Sequence, residues 1–180
     1  LITSSAASDV YKRQDGIRGR VNLNIANEKL ALESLIDKRE ISPPIYRLIG
    51  EALGRCAEFE SGQQVRAVIG WDDRPANTVL AEHLTVGLRL AGFEVIHIGI
   101  CATPGLHYAT LLYEAYFGCM ITASHNPIDD SGLKIFNRFG YKTLPDFETE
   151  LSRNAISLSR EDREIDDVER KRLALSLIHI

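Results

Sequence analysis

The sequence predicts a doubly wound α/β domain, a mixed and mostly parallel sheet flanked by helices. Three observations predict it. Short apolar runs of four to six residues alternate with helical stretches of ten to fifteen, the spacing of βαβ units. Pro43, Gly92 and Pro104 stand at joints between those segments. No internal repeat or low-complexity tract breaks the alternation.

Each element follows from local chemistry. Ser42-Pro43-Pro44 opens a helix, with Ser42 expected as its cap and Pro43 suited to its first turn. The apolar stripe Ile45, Leu48, Ile49, Ala52, Leu53 and Cys56 recurs at helical spacing. Val65-Arg-Ala-Val-Ile-Gly70 reads as a buried strand followed by a polar loop. Residues 78–91 form the next helix, with Val79, Leu80, Leu84, Leu88 and Leu90 apolar and Gly92 as its stop. Phe93-Glu-Val-Ile-His-Ile98 is a second strand, and residues 99–103 are a loop. Pro104 opens a third helix expected to run to about residue 116. Gly118-Cys-Met-Ile-Thr122 is a third strand and Leu133-Lys-Ile-Phe136 a brief fourth. Past Pro145 the chain turns polar and helical up to about residue 172.

Composition narrows the function classes. At 180 residues, 44% of them hydrophobic and 26% charged, the chain is an ordinary globular domain that buries a useful core. Its net charge of −4 comes from both signs scattered along the chain, which argues against a nucleic-acid or anionic-membrane surface. No apolar run reaches the roughly 18 residues of a membrane span, and the start lacks a signal-peptide layout. Cys56, Cys101 and Cys119 are odd in number and widely spaced, so they read as reduced, buried thiols of a cytoplasmic protein.

Ligand sites of open α/β sheets form outside the carboxyl ends of strands. Three segments fall at such ends: Gly70-Trp-Asp-Asp-Arg74, Cys101-Ala-Thr-Pro104 and Thr122-Ala-Ser-His-Asn-Pro127. The last places Ser124 directly after a buried strand, flanked by His125 and Asn126, with Pro127 keeping Asn126 out of the helical region. Asp129-Asp-Ser-Gly132 then reverses the chain so that Lys134 returns beside Ser124. Composition alone leaves a solvated turn serine as the alternative. A serine-hydrolase reading is weaker, because no Gly-x-Ser-x-Gly elbow is present and His125 adjoins Ser124 too closely to serve as its base. His97 and His107 sit in strand and helix patterns and read as structural. Asp72 and Arg74 read as an ion pair bracing their own turn rather than as catalytic groups.

The string Thr122-Ala-Ser-His-Asn-Pro127, continued by Asp130-Ser-Gly-Leu-Lys134, resembles the phosphoserine loop of the phosphohexomutase superfamily. Asp15-Gly-Ile-Arg-Gly19 resembles that family's amino-terminal substrate loop. Gly70-Trp-Asp-Asp-Arg74 resembles its Gly-x-Asp-x-Arg turn, and Ala102-Thr-Pro104 its Pro-Thr-Pro segment. All four occur in family order, and the resemblance covers roughly residues 15–160. It implies the amino-terminal domain of a phosphosugar mutase, an intramolecular phosphotransferase that moves phosphate between the C6 and C1 oxygens of a hexosamine or hexose phosphate. Ser124 would carry the phosphate and pass it to the sugar through a bisphosphorylated intermediate. Arg18 and Lys134 match the family's basic active-site residues, and charge neutralisation is what phosphoryl transfer needs. Lys134 and His125 are the candidate acid/base groups, with Lys134 preferred. Arg18, Ser124, His125, Asn126 and Lys134 would bind the phosphate or sugar. The implied cofactor is Mg2+, held on this chain by the phosphate of Ser124, with its other ligands on a second domain. The implied partners are a sugar phosphate and a sugar bisphosphate, with no nucleic acid and no membrane.

Ile17-Arg-Gly19, Gly132-Leu-Lys-Ile135 and Lys142-Thr-Leu-Pro145 resemble the bacterial phosphoglucosamine mutase branch, with phosphomannomutase/phosphoglucomutase the alternative. A non-catalytic α/β phosphate-binding module is the alternative outside catalysis. Some positions depart from the family. Tyr11-Lys-Arg-Gln14 stands where relatives carry Phe-Gly-Thr, and Ala76-Asn77 where they carry a serine pair, which puts a local hydrogen-bonding role there in question. No Asp-x-Asp-x-x-Arg segment is present, and the acidic stretch 162–170 reads as a solvated helix face. Both ends resemble translated adapter sequence. Residues 1–14 are therefore expected to be non-native or disordered, residues 15–160 to form the domain, and residues 161–180 to begin a helical linker whose last residues are non-native. Such a fragment alone would be inactive.

Overall fold

Strands buried along most of their length build one sheet, and successive side chains divide between its two faces. The computed structural model describes residues 16–59, 63–161 and 178–179. In chain order its elements are β1 (Ile17–Val21), α1 (Glu28–Lys38), β2 (Glu40–Ile41), α2 (Pro43–Cys56), β3 (Val65–Trp71), α3 (Asn77–Leu90), β4 (Phe93–Ile100), α4 (Thr103–Leu112), β5 (Phe117–Ile121), β6 (Asp130–Asn137), α5 (Pro145–Leu158) and β7 (Ile178–His179). The strands lie in the order β2-β1-β6-β5-β3-β4-β7. Among the described strands only β6 runs against its neighbours, pairing antiparallel with both β1 and β5. The sheet is therefore mixed and mostly parallel, as the βαβ spacing predicts.

Period-two alternation sorts the side chains. Ala67 and Ile69 of β3, Val95 of β4, Cys119 and Ile121 of β5, and Leu133 and Ile135 of β6 face the larger core with α1, α2, α3 and α5. Val68, Ile96, Met120 and Phe136 face the other way, against Leu106 and Ala109 of α4. The larger core is tight. Gly50 of α2 and Gly87 of α3 meet at a helix crossing where a Cβ on Gly87 would stand 2.1 Å from the Arg47 carbonyl oxygen. Leu84, fully buried on α3, contributes roughly 1.5–3 kcal/mol by leaving water, and truncating it to Ala would cost about 2–5 kcal/mol.

Several expectations are corrected. Ser42 has extended cap geometry but its side chain makes no capping bond. Pro43 and Pro44 have no N–H to offer, and the next donor, Ile45 N–H, is taken by the Ser42 carbonyl at 3.1 Å. Helix α4 stops at Leu112, short of residue 116, because Glu114 adopts a left-handed φ of 50°. The fourth strand is longer than its apolar centre, since the polar residues from Asp130 to Asn137 complete ladders on both sides. Neither β1, α1 nor β2 is among the elements expected from the sequence. β1 and β2 are short and polar, and α1, with an apolar stripe of Ala31, Leu32 and Leu35, is capped by Asn27, which accepts from Leu30 N–H at 3.1 Å. Ile178 and His179 pair parallel with Ile96 and His97 of β4, and the linker expected to begin at residue 161 lies otherwise outside the described residues. Residues 1–14, Asp15 and the acidic stretch 162–170 lie outside the described residues. No described helix is long and apolar enough to cross a membrane.

Candidate active site

The carboxyl ends of β3 and β5 lie side by side, with Trp71 paired to Ile121. The residue after β3, Asp72, donates its N–H to the Ile121 carbonyl at 3.1 Å. That register sets the Asp72 turn against the Ser124 loop. β6 runs back beside β5, with Lys134 opposite Met120, and β1 brings Arg18 opposite Gly132. Gly132 is required there, because a Cβ would meet the Ile17 carbonyl oxygen at 2.4 Å and the Thr122 carbonyl oxygen at 2.9 Å.

Ser124 is exposed and holds a left-handed backbone, φ 57°, which a non-glycine residue adopts only when its surroundings impose it. Its Oγ accepts from Lys134 Nζ at 3.1 Å and from Arg18 Nη2 at 3.4 Å. Two cations thus converge on one hydroxyl, an arrangement that suits a dianionic group on that oxygen. His125 is exposed beside it and forms no hydrogen bond among the described residues. Asn126 turns away from Ser124 Oγ, its amide donating to Asp130 at 3.0 Å. The structure therefore brings Arg18 and Lys134 to Ser124 Oγ, leaves His125 exposed next to it in the chain, and sets Asn126 to close the loop.

The residues beneath the loop are those sequence reasoning undervalued. Arg74, 7% exposed, pairs with Asp72 at 3.2 Å, as the turn reading expects. Its guanidinium reaches further. Nη2 donates to the carbonyls of Ser124 at 2.8 Å and Asn126 at 2.9 Å, and Nη1 donates to Asp130 O at 2.9 Å and to Pro127 O. Asp72 also accepts from Thr122 Oγ1 at 2.6 Å, and that oxygen accepts the Ser124 N–H at 2.9 Å. Asn77, at the position whose departure from the family put hydrogen bonding in question, supplies it. It donates to Asp72 at 2.6 Å and to Ile121 O at 3.2 Å, and it accepts from Ser131 Oγ at 2.6 Å. Apart from the bonds of Arg74 and Asn77 to Asp72 and of Ser124 to Thr122, these contacts join segments some 50 residues apart, so no local pattern reveals them.

His97 and His107 are structural in position. His97 is buried with Nε2 2.6 Å from Thr85 Oγ1, and His107 packs its edge on Phe136. Burial pushes the Cys119 thiol up to about 12. Partial burial also raises the thiols of Cys56 and Cys101, so none is poised as a nucleophile.

The family model for Phosphoglucomutase/phosphomannomutase, alpha/beta/alpha domain I, matches residues 9–161. The chain belongs to this family. The phosphoglucosamine mutase of Symbiobacterium thermophilum is 38% identical over 148 residues, which are 82% of this chain and 29% of that protein. The phosphoglucosamine mutase of Mycobacterium leprae is 37% identical over 139 residues, 76% of this chain and 26% of that protein. A Thermus thermophilus structure assigned as a phosphomannomutase superposes with a TM-score of 0.62 at 25% identity, covering 81% of this chain and 29% of its own. A phosphoglucomutase/phosphomannomutase family protein of Burkholderia thailandensis shares the fold with a TM-score of 0.59 at 22% identity, covering 88% of this chain and 31% of its own. The chain spans under a third of each of these proteins.

A divalent cation would find few free ligands around Ser124. Two carboxylates of the surrounding segments are engaged: Asp72 by Arg74, Thr122 and Asn77, and Asp130 by Asn126. Among the described residues, no group of three His, Cys, Asp or Glu side chains is placed to hold a metal. Two cations and a hydroxyl do not by themselves make a Mg2+ site.

Proposed function

We propose that this chain is the phosphoserine-carrying domain of a phosphosugar mutase, acting on glucosamine 6-phosphate to give glucosamine 1-phosphate. One observation carries the reading: Ser124 Oγ, presented on a left-handed turn, stands between Lys134 Nζ and Arg18 Nη2. The match to phosphoglucosamine mutases supports the choice of sugar.

In the proposed step, a phosphoryl group leaves Ser124 Oγ as a sugar hydroxyl oxygen bonds to its phosphorus. As the phosphorus–oxygen bond breaks, the Lys134 ammonium passes a proton to the freed serine oxygen. The neutral amine so formed, or His125 beside it, takes the proton of the incoming hydroxyl while Arg18 offsets the phosphoryl charge. The intermediate is a sugar bisphosphate. Its other phosphate then returns to Ser124 by the reverse of these bond changes. Positioning and charge neutralisation supply the catalysis, which suits a site built from Arg and Lys on rigid strands. If the parent uses Mg2+, the phosphate on Ser124 is the group of this chain that would help to hold it, and the ion would supply charge neutralisation there. The domain reading runs over residues 15–160, with the sugar-selecting parts elsewhere in the parent.

The test is a chimera in which residues 16–161 replace the matching segment of the Symbiobacterium thermophilum phosphoglucosamine mutase. Phosphopeptide mapping is expected to find phosphate on Ser124, and the chimera to turn over glucosamine 6-phosphate. Ser124→Ala is expected to abolish both. Full turnover by that variant would overturn the mechanism. Turnover of mannose or glucose phosphates alone would move the substrate to the phosphomannomutase/phosphoglucomutase class. The isolated 180-residue chain is expected to show no mutase turnover.

A further inference from the structure

We infer that Arg74 is the positioning residue of the Ser124 loop: it sets the loop backbone and leaves the phosphate to Arg18 and Lys134. A guanidinium has five N–H donors in a rigid fork. Here each one is spent. Nε donates to Asp72, Nη1 to Pro127 and Asp130, and Nη2 to Ser124 and Asn126. No donor is left for a ligand, although Nη2 lies 2.8 Å from the Ser124 carbonyl oxygen.

The four carbonyls explain the need. They belong to a loop whose curvature turns them inward, and a buried carbonyl without a partner is costly. One planar ion gathers all four and thereby fixes their relative orientation. The left-handed Ser124 backbone persists because its own carbonyl is held on one side and its N–H is held by Thr122 on the other. Asp72 balances the charge of Arg74, and Asn77 ties Asp72 to Ser131 at the far end of the loop. The loop is thus closed around an internal ion pair, with Ser124 Oγ aimed outward at Lys134. The catalytic consequence rests on the phosphoserine reading; the structural role stands without it.

Two measurements separate those halves. Amide exchange on the 180-residue chain compares Arg74 with Arg74→Lys, which keeps the charge but loses the fork. Loss of several charge-assisted bonds is expected to speed exchange at Ser124, Asn126 and Asp130 by about 100-fold, with β3 and β5 unchanged. If Arg74→Lys also loosens β3 and β5, Arg74→Gln, which removes the fork and leaves Asp72 its bonds to Thr122 and Asn77, is read the same way. In the chimera, Arg74→Lys is expected to lower kcat by about 100-fold with KM within about threefold. Guanidinium ion in solution is expected to restore part of the activity lost in Arg74→Ala. Unchanged loop exchange, or a raised KM with kcat kept, would overturn the inference. A loosened loop in a chimera that shows no mutase turnover even with Arg74 would instead sink the mutase reading and leave the positioning role in place.

Discussion

Lys134 Nζ stands 3.1 Å from Ser124 Oγ because β6 doubles back antiparallel to the strand that delivers Ser124. Strand β6 carries Lys134, and the turn directly after β5 presents Ser124 to it. An ammonium so placed can give its proton to the serine oxygen as it leaves phosphorus, and the neutral amine left behind can then take the proton of the incoming hydroxyl. Lys134→Met in the chimera should therefore lower kcat by about 10²–10⁴-fold, the range for a positioned acid/base group. KM should change far less. Steady-state kinetics on glucosamine 6-phosphate check this, and a kcat within about threefold of the parent would remove Lys134 from the chemistry.

His125 offers a contrast on the same loop. It is exposed and hydrogen-bonds to nothing among the described residues, so its removal has no folded-state partner to orphan. His125→Ala should shift the stability of the whole chain by no more than about 0.5 kcal/mol in urea unfolding. In the chimera it should lower kcat less than Lys134→Met does. The reverse order would make His125 the principal acid/base group.

Gly132 governs how closely β1, β5 and β6 approach beneath the site. A Cβ there would clash with two backbone oxygens and with Arg18 Cγ at 2.9 Å, and backbone cannot swing aside as a side chain tip can. Gly132→Ala should destabilise the chain by about 2–3 kcal/mol, which lowers Tm by roughly 5–10 °C in a domain of this size. Gly105→Ala is the control. Its Cβ would meet only Cys101 Cβ, at an ordinary 3.7 Å, so helix α4 should lose nothing and gain up to about 1 kcal/mol.

These sites differ in how much of them the sequence could show. Buried strands such as Val65–Trp71 and Phe117–Ile121 are apolar along most of their length, and the helices between them carry a stripe, so period alone finds them. Ser124 is legible because it follows such a strand directly and stands in a distinctive string. Lys134 follows from a turn of known chemistry. Arg74 is legible only as far as its neighbour Asp72, because its four carbonyl partners belong to a loop about 50 residues away. Asn77 is hidden for the same reason, since its fit depends on the pairing of β3 with β5. β1 is hidden because Arg18, Gly19 and Arg20 stand where apolar residues would have marked it as a strand.

The interior also makes a prediction about alkali. Cys119 is fully buried on β5, and loss of water raises its thiol from 9.0 to about 12. The folded-state value lies above the unfolded one, so folding favours the neutral thiol. That stabilisation is fully present below about pH 9 and is lost as pH rises from there toward 12. Within the window each pH unit removes up to about 1.4 kcal/mol, because the unfolded chain releases a proton that the folded chain retains. Burial raises the phenol of Tyr46 as well, which extends the loss at the upper end. Urea midpoints of the whole chain should therefore be flat from pH 7 to about 8.5 and fall steeply between about 9 and 11. Cys119→Ala should begin from lower stability at neutral pH, through the volume it removes, yet fall with a shallower slope above about pH 9. Tyr46→Phe should spare the early part of the decline and flatten the later part. Equal slopes in all three chains would show that neither buried group controls the alkaline limit of this fold.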